Sequence, residues 1–236
     1  MHHCNEGHAA FIGIERIRNL IDRYELPFSA ALEVVRSLSL FTTHTPVPAG
    51  HDAFPESMLR QYISHYPDKL DITWDQLINL GRTNPNDPNE KFSMRFLACN
   101  LSQEVNGVSW LHGEVSKDIL GAMWPGYFKD ELHIGYVTNG VHFPTWGARR
   151  LRRIYNEVFG PDFANYHYRY EDLQKIYEVP DKDLWEVRLH LKNKLIKEVK
   201  KRVSDPAQYR FDSPRQLVKV NDALNPVVLT LGFAPR

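Results

Sequence analysis

The 236-residue chain lacks several features that would place it in a class at once. It has only two cysteines, too few for a disulfide framework and typical of a reducing compartment. Its 29 basic residues balance its 29 acidic ones, so no net field favours nucleic acid or an anionic membrane. No apolar run approaches the roughly 18 residues of a membrane span, and the first residues lack the regions of a signal peptide. We therefore expect a soluble, cytoplasmic protein with no nucleic-acid or membrane partner.

Three familiar site signatures are also missing. No two of the 13 glycines stand two positions apart, so the Gly-x-Gly dinucleotide fingerprint cannot occur, and there is no Gly-Lys-Ser/Thr phosphate loop. The His-Glu-x-x-His zinc motif is absent, and Cys4 with His8 supplies at most two of the four ligands of a structural zinc. Ser109 and Ser116 fall within an apparent helix, which argues against a serine nucleophile. We expect no metal site.

What the sequence does contain is an alternation of helical and strand patterns, typical of α/β folds. Helices are predicted over residues 9–24, 30–37, 55–66, 73–80, 149–158 and 183–203, and strands over residues 38–43 and 134–138. Apolar residues at helical spacing also predict one helix across residues 94–117. After the turn signal at Asn225 and Pro226, residues 227–231 read as a buried strand.

Both ends of the sequence are abrupt. The polar segment at residues 3–8 leads directly into the first helix, which leaves no room for a strand before it. The other end stops at Arg236, just past the last predicted strand. We interpret the chain as a piece of a longer protein, called the parent below.

Three polar segments share one chemistry: HCNEGH at residues 3–8, FTTHTPVPAGHD at 41–52 and YVTNGVH at 136–142. Each combines hydrogen-bonding side chains with Gly or Pro, and two directly follow a predicted strand. Ligand sites in α/β proteins form at the carboxyl ends of strands, so these segments predict one wall of a polar pocket. The side chains are mostly neutral donors and acceptors, which suits sugar hydroxyls. Taken singly, His44 could instead cap a helix or be a buried histidine, and Asn139 with Gly140 could be only a tight turn.

Four segments in order resemble motifs of the α-glucan (glycogen, starch, maltodextrin) phosphorylases, most closely those of the short bacterial branch. They are CNEGHAAF at 4–11, TTHTPVPAGHD at 42–52, VNGVSWLHGE at 105–114 and VTNGVH at 137–142. The resemblance implies a two-domain glycosyltransferase fold of the B type, with two Rossmann-like halves facing across a cleft. Residues 1–225 would be the later part of the first half with its connecting helices. Residues 226–236 would be the first strand of the second, pyridoxal phosphate half, truncated.

The reaction that the resemblance implies is phosphorolysis. Inorganic phosphate would release the terminal glucose of an α-1,4-glucan as glucose 1-phosphate, with retention at the anomeric carbon. Pyridoxal 5′-phosphate would be the cofactor of the parent, acting through its phosphate. The lysine that forms its Schiff base has no counterpart here, so we expect the chain alone to bind no cofactor and to be inactive. Homo-oligomerisation of the parent, the preferred glucan and allosteric control stay open.

The resemblance also implies roles for single residues. His44 is similar to the residue whose backbone carbonyl lies near the anomeric carbon and whose imidazole meets the glucose 6-hydroxyl. Asn139 resembles an amide that contacts the 4- and 6-hydroxyl side of the sugar. Glu6 and His8 match pocket-lining residues, with Thr45 beside them. Arg236 aligns with an arginine that contacts substrate phosphate, although Pro235 replaces the basic residue that the family has next to it.

Two other classes stay open at this stage. A glycogen or starch synthase shares the two-domain architecture, but its Lys-x-Gly-Gly-like loop has no match in the sequence. A non-catalytic carbohydrate-binding module would need exposed aromatic side chains on a flat face. Trp110, Trp124, Trp146 and Trp185 stand among apolar neighbours, so we expect them in the core.

Overall fold

The computed structural model of the chain describes residues 1–47, 50–166, 170–203, 205 and 214–225. The chain forms two compact units, Met1–Asn139 and Gly140–Arg236. The strand predicted at residues 227–231, Pro235 and Arg236 lie outside the described residues. The predicted domain boundary after residue 225 therefore stays a prediction.

The first unit is built around a parallel sheet of four short strands in the order β1-β2-β5-β6. Helices and a two-stranded antiparallel ribbon, β3 with β4, occupy the connections between these strands. The strands are β1 His2–Asn5, β2 Ser39–Thr42, β3 Ala53–Phe54, β4 Phe92–Ser93, β5 Glu104–Gly107 and β6 Ile134–Tyr136. The helices are α1 Phe11–Tyr24, α2 Phe28–Ser37, α3 Glu56–Ile63, α4 Tyr66–Leu70, α5 Trp74–Asn79, α6 Met94–Asn100 and α7 Trp110–Leu120. The mixed α/β class is confirmed.

Local sequence explains where several of these helices begin and end. Thr73 caps α5 through a capping box, in which its hydroxyl accepts from the Gln76 N–H while the Gln76 side chain accepts from the Thr73 N–H. Helix α1 ends where Glu25 turns into the left-handed region at φ 52°. The core lies between the sheet and the helices, with Ile17, Phe41 and Leu97 fully buried. Burial of this size is the main stabilising contribution to the unit.

Two sequence-based expectations about the first unit are wrong. The segment at residues 3–8 is not entirely a loop, because His2–Asn5 is itself an edge strand paired with β2. The single helix predicted over residues 94–117 is two helices, α6 and α7, separated by strand β5. Both short strands carry polar residues and show no alternating pattern, so the helical spacing on either side of β5 concealed the break.

The second unit is helical in its described residues. Its helices are α8 Phe143–Trp146, α9 Arg149–Phe159, α10 Phe163–Tyr166, α11 Tyr170–Leu173, α12 Asp181–Val203 and α13 Pro214–Ala223. The rings of Phe143, Tyr155, Phe159 and Phe163 pack together in stacked, tilted and edge-to-face pairs, with ring centroids 4.5–5.7 Å apart. No helix in the described ranges is long and apolar enough to cross a bilayer.

The tryptophans differ from the expectation. Trp124 packs partly buried against the core of the first unit, as predicted. Trp110, Trp146 and Trp185 are instead exposed, at 62%, 78% and 63%. The prediction that these three tryptophans lie in the core, which was based on their apolar sequence neighbours, is therefore wrong.

Candidate functional site

Parallel pairing brings the polar segments to one edge of the sheet. All four strands run in the same direction, so the residues that follow β1, β2, β5 and β6 emerge at the same side. Glu6 follows β1, His44 and Thr45 follow β2, and Asn139 comes shortly after β6. The fold therefore gives these side chains the location at which α/β sheets bind ligands.

Glu6 occupies an unusual backbone conformation at this edge. Its φ of 68° and ψ of 160° lie in a region that is populated almost only by glycine. The Glu6 N–H donates to the Thr42 carbonyl at 2.9 Å, which ties the bend to strand β2. The next residue, Gly7, packs so closely on α6 that an added Cβ would lie 3.1 Å from the backbone nitrogen of Arg95. A backbone conformation like that of Glu6 costs on the order of 1–3 kcal/mol and is typical of functional sites.

The carboxylate of Glu6 joins the loops after β1 and β2. Its Oε1 accepts hydrogen bonds from the His44 N–H and from the Thr45 hydroxyl, the latter at 3.0 Å. Its Oε2 lies 3.4 Å from the Gly7 nitrogen, which donates to it weakly. Hydrogen bonds to a charged acceptor are among the stronger ones in proteins. Glu6 therefore fixes the peptide unit of His44, 38 positions away in the sequence.

The imidazole of His44 is exposed but oriented. Its Nε2 lies 2.6 Å from Asn5 Oδ1, and because that oxygen can only accept, Nε2 is the donor. In the neutral ring this leaves Nδ1 as an acceptor for an incoming hydroxyl. Asn5 thus positions the ring, a role that the sequence analysis did not assign to it.

A second row of hydrogen bonds lies behind these loops and crosses three strands. The Thr42 hydroxyl donates to Asn106 Oδ1 at 2.7 Å. Because that hydroxyl has one hydrogen, it must accept from His3 Nε2, also at 2.7 Å. The Asn106 amide donates in turn to the Gly107 carbonyl at 3.0 Å. This chain of bonds connects β1, β2 and β5 directly beneath the candidate site.

A cavity of about 130 Å³ opens beside Glu6. Exposed His8 lines it together with Thr45, so three of the predicted pocket residues share one space. His51, which belongs to the predicted segment at residues 41–52, and Arg95, which was not predicted, line it too. The only sequence signal for Arg95 was a single charge between buried apolar neighbours, Met94 and Phe96.

Asn139 lies at the same edge but away from these residues. Strand β6 is two strands from β2, roughly 10 Å across the sheet. The Asn139 N–H donates to the Val108 carbonyl at 3.1 Å, which leaves the exposed side-chain amide available. The described residues therefore form a row with His44 near one end and Asn139 at the other.

The residues at this edge do not fit pyridoxal phosphate. A Schiff base needs a lysine amine, and the described residues that line the cavity beside Glu6 include no lysine. Nor do three or more His, Cys, Asp or Glu side chains cluster for a metal in the described part of the chain. Arg236, the predicted phosphate contact, lies outside the described residues.

Comparisons with known proteins agree with one another. The family described as carbohydrate phosphorylase matches residues 1–213. The chain is 40% identical to glycogen phosphorylase of Mycobacterium tuberculosis and 37% identical to that of Aquifex aeolicus, and it is 33% identical to maltodextrin phosphorylase of Thermococcus litoralis. Each match covers 99% of this chain but only 27%, 33% and 27% of the respective relative. The chain thus spans between a quarter and a third of the length of these curated relatives.

Proposed function

Because the chain belongs to the carbohydrate phosphorylase family, we propose that it is one segment of an α-glucan phosphorylase and supplies the glucose-binding wall of its active site. The parent releases glucose 1-phosphate from an α-1,4-glucan such as glycogen, starch or maltodextrin, with inorganic phosphate as the second substrate. The observation that carries this proposal is the bridge from the Glu6 carboxylate to the His44 N–H and the Thr45 hydroxyl.

The bridge gives His44 a fixed backbone dipole. Glu6 holds the His44 N–H on one side of the residue, and on the other side the Thr45 N–H, which shares a peptide plane with the His44 carbonyl, donates to the Thr43 hydroxyl at 3.5 Å. A carbonyl held in this way stabilises the positive charge that develops at the anomeric carbon, because a preorganised dipole needs no reorganisation during the reaction. The His44 ring, oriented by Asn5, meets the glucose 6-hydroxyl.

The remaining wall residues bind the sugar. The exposed amide of Asn139 both donates and accepts, which suits the 4- and 6-hydroxyl side of glucose. His8 and Thr45 line the space next to Glu6 and shape the pocket beside the anomeric position. The phosphate contact at Arg236 belongs to the same proposal.

The parent has the two-domain B-type glycosyltransferase architecture, with residues 1–225 in the first half and residues 226–236 opening the second. Pyridoxal phosphate belongs to that second half, and the lysine that holds it lies in a part of the parent outside this chain. When bound there, its phosphate group supplies a proton donor and acceptor for the attacking phosphate. Two free cysteines suit a cytoplasmic parent.

Activity of the parent tests the assigned roles. We expect H44N and N139A each to lower phosphate-dependent release of glucose 1-phosphate from maltodextrin by about 100-fold or more, a range seen when a transition-state donor or dipole is lost. H65Q is the matched control, because His65 is exposed and outside the site. Undiminished release in H44N would exclude the role of the His44 ring, and a parent that releases no glucose 1-phosphate would refute the function.

The 236-residue chain alone tests the assignment of the cofactor. We expect no absorbance in the pyridoxal Schiff-base region and no glucose 1-phosphate release from the purified chain. A positive result in either measurement would show that cofactor chemistry resides in this segment.

The exposed tryptophans favour a second function, sugar binding by a platform of aromatic side chains. Trp110 is exposed in the first unit, as is its neighbour Leu111. If it binds glucan, W110A weakens retention of the chain on immobilised glycogen while H44N does not. The opposite result supports the pocket alone.

A further inference from the structure

A cluster of buried nitrogen atoms without protein partners lies beside the cavity at Glu6. Nε and Nη1 of Arg95 and Nε2 of His51 are inaccessible to solvent and have no hydrogen-bond partner in the described part of the chain. Nε2 of His112 shares this property and lies close enough to lower the pKa of His51. Leaving buried polar nitrogens unpaired is costly, on the order of 1–3 kcal/mol each. A cluster of unpaired buried nitrogens therefore indicates that a ligand hydrogen-bonds to them.

The carboxylate of Glu6 is not the missing acceptor. Both carboxylate oxygens of Glu6 accept hydrogen bonds from the two loops, as described above. His112 Nδ1 accepts from the Val108 N–H at 3.2 Å, so in the neutral ring the hydrogen is on the unpaired Nε2. One face of the Arg95 guanidinium lies on the Phe96 ring, 4.8 Å from its centroid, but its edge does not. The unpaired N–H groups of Nε and Nη1 point outward in the guanidinium plane, so the Phe96 ring does not satisfy them.

We propose that Arg95 and His51 form a binding site for a small oxyanion. A guanidinium offers two parallel N–H groups that match two oxygens of a phosphate, sulfate or carboxylate group. Both residues line the 130 Å³ cavity, which holds roughly the volume of four waters and therefore admits one such group. The resemblance assigns a phosphate contact to Arg236 and none to these residues, and the inference does not depend on the glucose contacts proposed above.

Two carboxylates also line this cavity and set the limits of the site. Glu6 and Asp52 repel an anion, Glu6 less so because its charge is met by three donors. Asp52 is exposed, and its side chain has no hydrogen bond or ion pair in the described structure. Removing the charge of Asp52 should therefore strengthen anion binding, while removing that of Arg95 should weaken it. Loss of folded structure alone would not produce opposite effects.

Protonation of His51 is coupled to the anion. Burial, and then the positive charge of Arg95 on α6, hold the pKa of His51 below its usual value, with His112 on α7 adding to this. Glu6 and the Thr45 carbonyl act in the opposite direction. An oxyanion next to His51 favours the charged ring, so binding should tighten as the pH falls from about 8 to about 5. Sulfate does not titrate in this range, which makes it the suitable probe.

Calorimetric titration of the 236-residue chain with sulfate, at constant ionic strength, tests the proposal. We expect saturable binding by the wild type, a loss of about tenfold or more in R95M, and a gain of several-fold in D52N. R23M is the matched control, because Arg23 is an exposed arginine on α1, and it should bind as the wild type does. H51Q should bind more weakly at low pH and lose the pH dependence. Circular dichroism of each variant verifies that it is folded, and R95K, which keeps the charge, replaces R95M if that variant is not.

Absence of saturable binding of sulfate, phosphate and acetate by the folded wild type would overturn the proposal and leave only ordered water at these nitrogens. Equal effects of R95M and R23M would overturn it as well. The same titrations on the full-length parent identify the source of the oxyanion. Sulfate binding that R95M still weakens in the parent indicates a free anion, and loss of that R95M-sensitive binding in the parent indicates a carboxylate supplied by another part of the polypeptide.

Discussion

The two compact units of the chain bury their apolar side chains very differently. In the first unit, side chains such as Phe41 and Leu97 are fully enclosed between the parallel sheet and its helices. In the second, the stacked aromatic rings of α8 to α10 line an open cavity of about 490 Å³. Among the described residues of the second unit, only Val187, Ile196 and Val203 belong to the buried apolar set.

This difference means that the stability of the two units cannot be judged from their amino-acid composition alone. Both units contain many aromatic and aliphatic residues, but hydrophobic stabilisation follows the area removed from water, and the second unit removes less. The first unit also contains every predicted site residue that the structure describes. We therefore expect the site to depend on the more stable unit and to persist when the second unit unfolds.

The largest expected effect comes from removing one aromatic ring in each unit. F41A should lower the free energy of unfolding of the first unit by about 3–5 kcal/mol, because a fully buried ring leaves a cavity. F159A should cost the second unit only about 1 kcal/mol, because that ring already borders an open space. Urea unfolding followed by circular dichroism measures both. Equal costs would remove the distinction between the units.

A smaller effect is expected from the carboxylate that links the two loops. E6Q should lower the free energy of unfolding of the first unit by about 2–3 kcal/mol, since charge-assisted hydrogen bonds to His44 and Thr45 are weakened. E25Q is the matched control, as Glu25 also has positive φ and is exposed. If the two substitutions cost the same, Glu6 does not join the loops.

Glycine substitutions extend the comparison to the backbone. An added Cβ at Gly107 would lie 2.8 Å from the Gly113 nitrogen, whereas one at Gly140 would meet nothing within 4 Å. G107A should therefore destabilise the first unit by about 1–2 kcal/mol. G140A should leave the second unit unchanged or stabilise it by about 0.5 kcal/mol, by restricting the unfolded chain. Thermal unfolding of both variants gives the answer, and a costly G140A would contradict the open packing of that segment.

The smallest effect is a pH dependence confined to the first unit. Hydrogen bonds from Arg18, and also from Tyr66, lower the pKa of Glu15 to about 2. A depressed pKa adds stability above the unfolded value of 4.5, and this is lost as the pH falls from 4.5 toward 2. Because the side chain is 41% exposed, we expect no more than about 1 kcal/mol.

The contribution of Glu15 is measured as the difference in unfolding free energy between wild type and E15Q from pH 4.5 to about pH 2. E186Q in the second unit is the control, as Glu186 lies 3.9 Å from Lys182 with both side chains largely exposed. A pH-independent difference for E15Q would mean that the Arg18 contact contributes nothing in solution.

The sequence predicted the α/β class and most helices because those elements carry long periodic patterns. It located strand β2 correctly and, through the family motifs, the residues at the strand ends. It missed β1 and β5 because strands of only four residues, most of them polar, are too short to show a clear alternation, and their strand conformation comes from pairing with β2. The sequence also did not predict the contacts within the site. They depend on tertiary structure, and nothing local to Glu6 indicates an interaction with His44.

Arg95 and the exposed tryptophans show a different limit. Whether a side chain is buried depends on the elements packed around it, so an arginine in an apolar segment became partly enclosed while Trp110 and Trp146 did not. Residue type and immediate neighbours predict such outcomes poorly when packing decides them.

The hydrogen bond from Thr42 to Asn106 joins residues 64 positions apart and has a consequence for the kinetics of folding. Parallel strands that are far apart in the sequence pair only after long loops have closed. Closing these loops has an entropic cost, and local contacts formed earlier do not offset it. The helices can form early, but the loops bearing Glu6 and His44 acquire their arrangement only when β1 joins β2. The loops of the candidate site should therefore reach their final arrangement in the slowest, most nonlocal step in folding of the first unit.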